Sequence, residues 1–401
     1  MLHSLVALTV LGLAPHLEIR KATLDITPPE ALPLGGYTER GGRLLERGGD
    51  HLFARALALS DGRQRVVILS AEMLTIPESL VRAVRAKLPA DVKLFLAATH
   101  THGAPDSQML NERMTLSIPG IANYKRRWLD CYAQRLANCA LTALRSKPLA
   151  TRAALTLAQA QLKATHARRP GDKPDWTLSR IRAGSTPVVY HYAAHPIFYS
   201  AKEMKIRGDW PAAFMADGSI VLQGALGDVS PDMTNEEPAL QIQRMHRLAM
   251  ENLSGQKERP IGSGLGWREE PIRLDPKKPH PEFAKQHGIP QALAQLAVNQ
   301  FAPSEASVSV ITIGNLAVVG VPGEPTSALG RAIQDQGHAA GFKHVLVCSH
   351  VNGWIGYILD PDDYDSGGYE ATLSLHGRET GLRVVEACAR AFKKAMAPSA
   401  P

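Results

Sequence analysis

The sequence predicts an α/β protein, with mixed β-sheets flanked by α-helices in a single large domain. Three observations carry this reading. Short apolar, β-prone runs recur along the chain and end at Gly, Pro or His, as buried strands do. Two of them, residues 65–70 and 93–96, bracket a helical segment, and strand–helix–strand order implies a parallel pair. Others are joined by the tight turns Asp61-Gly62 and Gly314-Asn315, which implies antiparallel hairpins beside it. The 401 residues, 44% of them apolar, can bury a sizeable core.

The elements follow in order. Residues 5–14 form a ten-residue apolar run with Gly12 and Ala14 at signal-peptidase-like positions, so residues 1–14 are expected to be a cleaved export signal and residues 15–401 the mature domain. That places the protein in the periplasm or outside the cell. The only basic-type residue ahead of the run is His3, and the other reading is a core strand or helix of a cytoplasmic protein. Residues 21–27 alternate like a strand stopped by Pro28-Pro29, and Gly35-Gly36-Tyr37 with Gly41-Gly42 marks a loop-rich entrance. Residues 51–59 pair through Asp61-Gly62 with 65–70. Thr75-Ile76-Pro77-Glu78 has the capping-box form and opens a helix through Leu88. A long amphipathic helix covers 124–144, and 150–162 alternates like a strand.

Arg168-Arg169-Pro170-Gly171-Asp172 is a polar loop, and 188–195 is a second buried strand ending in a histidine, stopped at Pro196. Gly208-Asp209-Trp210-Pro211 begins a short helix, 220–224 is a strand and 237–253 a helix. Residues 254–281, rich in Gly, Pro and charge, read as a surface excursion. A helix at 291–299, a hairpin at 306–320, a helix to Gly341, a strand at 344–350, a loop at 352–369 and a last helix from Glu379 complete the chain. No internal repeat is visible.

Composition narrows the function. The net charge is +7, yet basic residues cluster only at Lys125-Arg126-Arg127 and Lys277-Lys278, with no aromatic-interleaved stripe, so nucleic acid is not the expected partner. The four cysteines show no CxxC spacing and read as buried free thiols, so a metal here must use nitrogen and oxygen ligands.

Chemistry-bearing residues collect where apolar runs stop. His100 and His102, two apart in Thr99-His100-Thr101-His102, would project to one face of an extended chain. They could hold a metal, share metal and proton work, or simply cap a strand. His195, Glu324 and the 357–369 loop stand at similar transitions. Two neutral imidazoles and a carboxylate suit a zinc with an open position, which brings the pKa of a water to ~7. A Glu after Pro-Gly is also an ordinary turn or cap residue. His51, His191, His246 and His350 offer other histidine pairs.

The ordered motifs Asp25-Ile26-Thr27-Pro28, Thr99-His100-Thr101-His102, His195-Pro196, Gly227-Asp228-Val229-Ser230-Pro231, Pro322-Gly323-Glu324-Pro325-Thr326 and Tyr357 with Tyr369-Glu370 resemble the neutral (non-lysosomal) ceramidases. The likeness spans residues 25 to about 380 and corresponds to their catalytic region, without the C-terminal immunoglobulin-like domain of longer members. It implies a zinc amidase whose metal is held by His100, His195, Glu324 and Tyr357. By the same resemblance His102 handles protons, Tyr369 polarises the scissile carbonyl, Ser230 falls on the catalytic serine, and Arg169, with Arg168 beside it, fits the essential arginine. The implied substrate is ceramide or a related N-acyl lipid, reached with peripheral contact to a membrane surface. A zinc hydrolase of a non-lipid amide, peptide or ester, and a non-catalytic protein keeping the fold, are the alternatives. Three positions depart from the family: Gly103-Ala104-Pro105 replaces Ser-Gly-Pro after the histidines, Arg168-Arg169-Pro170 replaces Asn-Arg-Ser, and Asp232 stands where the family has Asn.

Overall fold

Three sheets built to one pattern organise the computed structural model, which describes residues 17–149 and 155–397. The first comprises Glu18–Asp25, Phe53–Ser60, Arg65–Ala71 and Val92–Ala98. Its first three strands are antiparallel neighbours and the fourth runs parallel to the third. The second repeats this with Leu155–Gln161, Thr177–Ala183, Thr186–Tyr192 and Ile220–Gln223, plus a short edge strand at Arg259–Pro260. The third uses Leu265–Pro271, Ser307–Ile313, Leu316–Gly320 and His344–Cys348. In each sheet a helix crosses over between the two parallel strands: Glu78–Arg85, Asp209–Phe214 and Ser327–Ala339 respectively. The repeat is one of topology, with no echo in sequence long enough to be read there.

Leu57, Ile68 and Phe95 of the first sheet, Leu157, Val189 and Leu222 of the second, and Ile311, Val318 and Leu346 of the third meet in one buried cluster. Helices cover the outer faces. Leu129, Leu136 and Ala140 of Arg126–Arg145 pack on the first sheet, and Met245 and Ala249 of Pro238–Leu253 on the second. Val384, Cys388 and Phe392 of Thr380–Met396 pack on the third. Sheets buried on both faces need near-continuous apolar strands, which is why 65–70, 188–192 and 344–348 carry so little polar alternation.

Several expectations change. The segment at residues 1–14 lies outside the described residues, as do 150–154 of the strand expected at 150–162. Thr75 does not cap a helix: Pro77 is the N-cap, and Glu78 pairs with Arg113 across to the next loop. The surface excursion at 254–281 contains the outer strand of the third sheet. Leu265 and Trp267 are buried there, and Glu270 is hidden because Lys394 of the last helix meets it at 2.6 Å. The four cysteines are free thiols. Among the described residues no helix is long and apolar enough to cross a membrane.

Candidate metal centre

The inner parallel pairs release their chains toward a common place. Val92–Ala98 ends two residues before His100, Thr186–Tyr192 three before His195, and Leu316–Gly320 four before Glu324. Each sheet thus delivers one donor. His100 and His102 do not project as alternate residues of an extended strand. The strand has already stopped at Ala98, and His100 sits at φ +65°, in the left-handed region. The rings nevertheless meet edge to face, with Nε2 atoms 3.4 Å apart, because the turn folds His102 back.

Backbone carbonyls fix both ligand-type histidines. His100 Nδ1–H donates to the Leu74 carbonyl at 2.8 Å, and His195 Nδ1–H to the Val229 carbonyl at 3.0 Å. Burial is the main cause that lowers both imidazole pKa values, His195 to about 4, so both are neutral near pH 7. Their Nε2 lone pairs therefore face one carboxylate oxygen: Glu324 Oε2 lies 3.6 Å from His100 Nε2 and 3.4 Å from His195 Nε2. The Tyr357 hydroxyl is 3.4 Å from His195 Nε2. Glu324 Oε2 is buried without a hydrogen-bond partner, while Oε1 accepts from Trp354 Nε1–H at 2.9 Å. Burial would raise the Glu324 carboxyl, but the adjacent His100 and His195 hold it well below the usual range.

Converging lone pairs repel unless a cation lies between them. Ligand atoms about 2.1 Å from a tetrahedral ion stand about 3.4 Å apart, which matches these separations. The spacing is therefore compatible with a metal ion among His100, His195, Glu324 and Tyr357, with nitrogen and oxygen as its donors.

His102 borders this set. Burial, then the neighbouring imidazoles, push its pKa well below 6.5, and its Nδ1 has no partner. Gly36 lies against it at φ +89°, and a Cβ there would fall 2.5 Å from the ring. Arg40, 1% exposed, donates to the carbonyls of Gly35 at 2.6 Å and His102 at 2.5 Å, pinning the entrance loop to the histidine turn. Tyr369 stands half-exposed beside the donor set, its ring edge on Tyr357 at 5.7 Å.

The two arginines separate. Arg169 is spent on the 360–370 loop, donating to Asp363 Oδ1 at 3.0 Å, the Asp363 carbonyl at 2.6 Å, the Gly367 carbonyl at 3.1 Å and Ser366 Oγ. Arg168 lies over the Tyr357 ring and pairs with Glu370 at 2.9 Å. Ser230, buried in a short strand against Thr165–Ala167, follows the residue whose carbonyl orients His195. Among the described residues its hydroxyl makes no hydrogen bond to the donor set. Trp354 and Arg40 carry no signal of this role in the sequence. Gly35-Gly36-Tyr37 reads there as an entrance, but nothing in it names His102 as its neighbour.

Fold and site together define an α/β protein with a buried His/Glu centre of metal-binding type. No protein-family model matches the chain. Its sequence is 33% identical over 90 residues to neutral ceramidase 1 of Arabidopsis thaliana and 30% identical over 79 and 84 residues to the neutral ceramidases of Pseudomonas aeruginosa and Mycobacterium tuberculosis. These matches take in 19–20% of this chain and 12–13% of each relative's length. The crystal structure of the Pseudomonas aeruginosa neutral ceramidase superposes with a TM-score of 0.77 at 17% identity, over 95% of this chain and 74% of that one. A structure described as ceramidase complexed with C2 gives 0.77 at 16%, over 96% and 77%. In local sequence and in overall fold, the chain is similar to the neutral ceramidases.

Proposed function

We propose that the chain is a zinc-dependent hydrolase that cleaves the linear amide of ceramide or a related N-acyl lipid. The observation that carries this reading is the convergence of two neutral imidazole lone pairs and an orphaned carboxylate oxygen at one buried point. The names of its relatives supply the substrate class. A bound zinc would supply Lewis-acid polarisation of the amide carbonyl and activation of water.

The chain's own residues do the rest. His102, held neutral, presents Nε2 beside the donor set, where it can take a proton and return it to the leaving amine. Buried Tyr357 and half-exposed Tyr369 meet edge to face beside the donor set, where a hydroxyl can donate to a developing oxyanion. Arg168, over Tyr357, adds positive charge on that side. Ser230 serves as an orienting hydroxyl rather than a nucleophile. Export to the periplasm or beyond, and peripheral contact with a membrane surface, belong to the same proposal; a mature protein sequenced from Met1 would remove the export part.

The test is elemental analysis of the purified protein together with hydrolysis of a fluorescent short-chain ceramide, with and without chelator. About one zinc per chain and chelator-sensitive cleavage are expected. Full zinc occupancy with ceramide left intact overturns the substrate, and failure to retain zinc after reconstitution overturns the metal.

A further inference from the structure

Glu370 directly follows Tyr369 in the last of the ordered motifs and is 5% exposed. A carboxylate buried that far is kept only where cations or hydrogen bonds meet it. Here Oε1 accepts from Arg168 Nε–H at 2.9 Å, and Oε2 lies 3.5 Å from Arg169 Nη1. Both oxygens face guanidinium groups, so Glu370 is a fixed negative charge between two arginines that are neighbours in sequence.

The two arginines depend on that charge unequally. Arg169 is also held by Asp363 and the Gly367 carbonyl, so its loop does not need Glu370. Among the described residues, Glu370 is the one carboxylate that pairs with Arg168. The Arg168 fork spends Nε on Glu370 and Nη2 on the Gly227 carbonyl. A guanidinium is planar and these two nitrogens share one edge, so fixing that edge fixes the direction of the whole group. In that direction its central carbon stands 6.0 Å from the centre of the Tyr357 ring. The Gly227 carbonyl alone would leave the fork free to turn about one bond. Glu370 also belongs to the short helix Tyr369–Thr372, so the pair ties Arg168 to the element that carries Tyr369.

We propose that Glu370 is a positioning residue that holds the Arg168 guanidinium over Tyr357, on the side where the scissile carbonyl would be polarised. It acts through Arg168 and not as an acid or base, because both of its oxygens are taken up by guanidinium groups. The inference rests on the amidase reading of the site.

The experiment is a double-mutant cycle. Steady-state hydrolysis of a fluorescent short-chain ceramide is measured for zinc-loaded wild type, Glu370→Gln, Arg168→Ala and the double variant, with zinc content determined for each. Glu370→Gln keeps the shape and removes the charge. It is expected to lower kcat about 10–100-fold, with KM and zinc content as in wild type, because the positioned charge acts on the transition state. In the Arg168→Ala background the same change is expected to alter kcat by less than about twofold, since no guanidinium is left for Glu370 to hold. An equal fall in both backgrounds assigns the effect to Tyr369 or to the fold and overturns the proposal, as does wild-type kcat in Glu370→Gln. Should Glu370→Gln not fold, Glu370→Asp, which withdraws the carboxylate, takes its place in the same cycle. Wild-type protein that loads zinc and leaves ceramide intact overturns the substrate reading, and this inference falls with it.

Discussion

Glu324 shows how one carboxylate oxygen is aimed at a site. Its Oε1 is fixed by the Trp354 indole N–H, which turns Oε2 toward the two imidazoles. Trp354→Phe keeps the ring volume and removes that donor. It is expected to weaken metal affinity by about 10–100-fold with the fold intact, measured by chelator competition and circular dichroism. The adjacent arginines divide as sharply. Arg169→Ala strips a buried guanidinium from Asp363 and the 360–370 loop and is expected to cost about 3 kcal/mol, read from chemical denaturation. Arg168→Ala, at a more open position, should cost less stability than Arg169→Ala and act mainly on turnover. A denaturation midpoint unchanged by Arg169→Ala would show that the loop is held by other means. Neighbours in sequence carried no sign of this division, since it depends on which loop each side chain meets.

Among the elements, the Gly227-Asp228-Val229-Ser230 segment is a splint between donors from different sheets. The Val229 carbonyl orients His195, while Gly227 N–H donates to the Pro325 carbonyl at 2.9 Å, and a Cβ on Gly227 would meet the Glu324 carbonyl at 2.4 Å. Buried Asp228 accepts from the Ser327 N–H at 2.6 Å and hydroxyl at 2.8 Å, fixing the helix that follows Glu324. Asp228→Ala is expected to lose about 2–3 kcal/mol of stability and to weaken metal binding with it. Unchanged metal affinity would separate the helix cap from the site. The helix Asp209–Phe214 opens on another buried acid. Burial raises the Asp209 carboxyl from 3.8 to about 7, despite hydrogen bonds from the Trp210 and Tyr199 N–H groups. The folded state therefore keeps a proton that the unfolded chain loses above pH ~4. Stability is lost as pH rises from ~4 to ~7 and levels off beyond, by ~4 kcal/mol at most. Asp209→Asn should flatten melting temperature against pH in that window, and an unaltered slope would place the effect elsewhere.

At the scale of the molecule, His100, His195 and Glu324 come from three sheets that share one apolar cluster. An ion bound among them ties the sheets together, so it stabilises the whole fold by mass action, about 4 kcal/mol at a thousandfold excess over Kd. Chelation is expected to lower the melting temperature as a single transition, followed by calorimetry. A local loss confined to the 320–372 region, seen by hydrogen exchange without a shift of the main transition, would show that the centre stabilises one sheet alone. The inner strands, buried on both faces, were legible as apolar runs because their environment dictates composition. The outer strand Leu265–Pro271 was not, since its charges are neutralised by Arg390 and Lys394 of a helix more than a hundred residues away.

The sequence by itself determined the α/β class, the hairpins at Asp61-Gly62 and Gly314-Asn315, and the existence of the long helix near 124–144 and of the last helix from Glu379, each within two residues of its observed start. It also marked the strand ends at which His100, His195 and Glu324 would stand, because periodicity and turn chemistry are local properties of the chain. The tertiary structure decided which nitrogen of each histidine is free, which arginine faces the centre, that Trp354 sets the carboxylate, and that three sheets repeat one topology. Those depend on carbonyls and side chains brought together from 26 to 202 residues apart in the chain, and only packing fixes such distances.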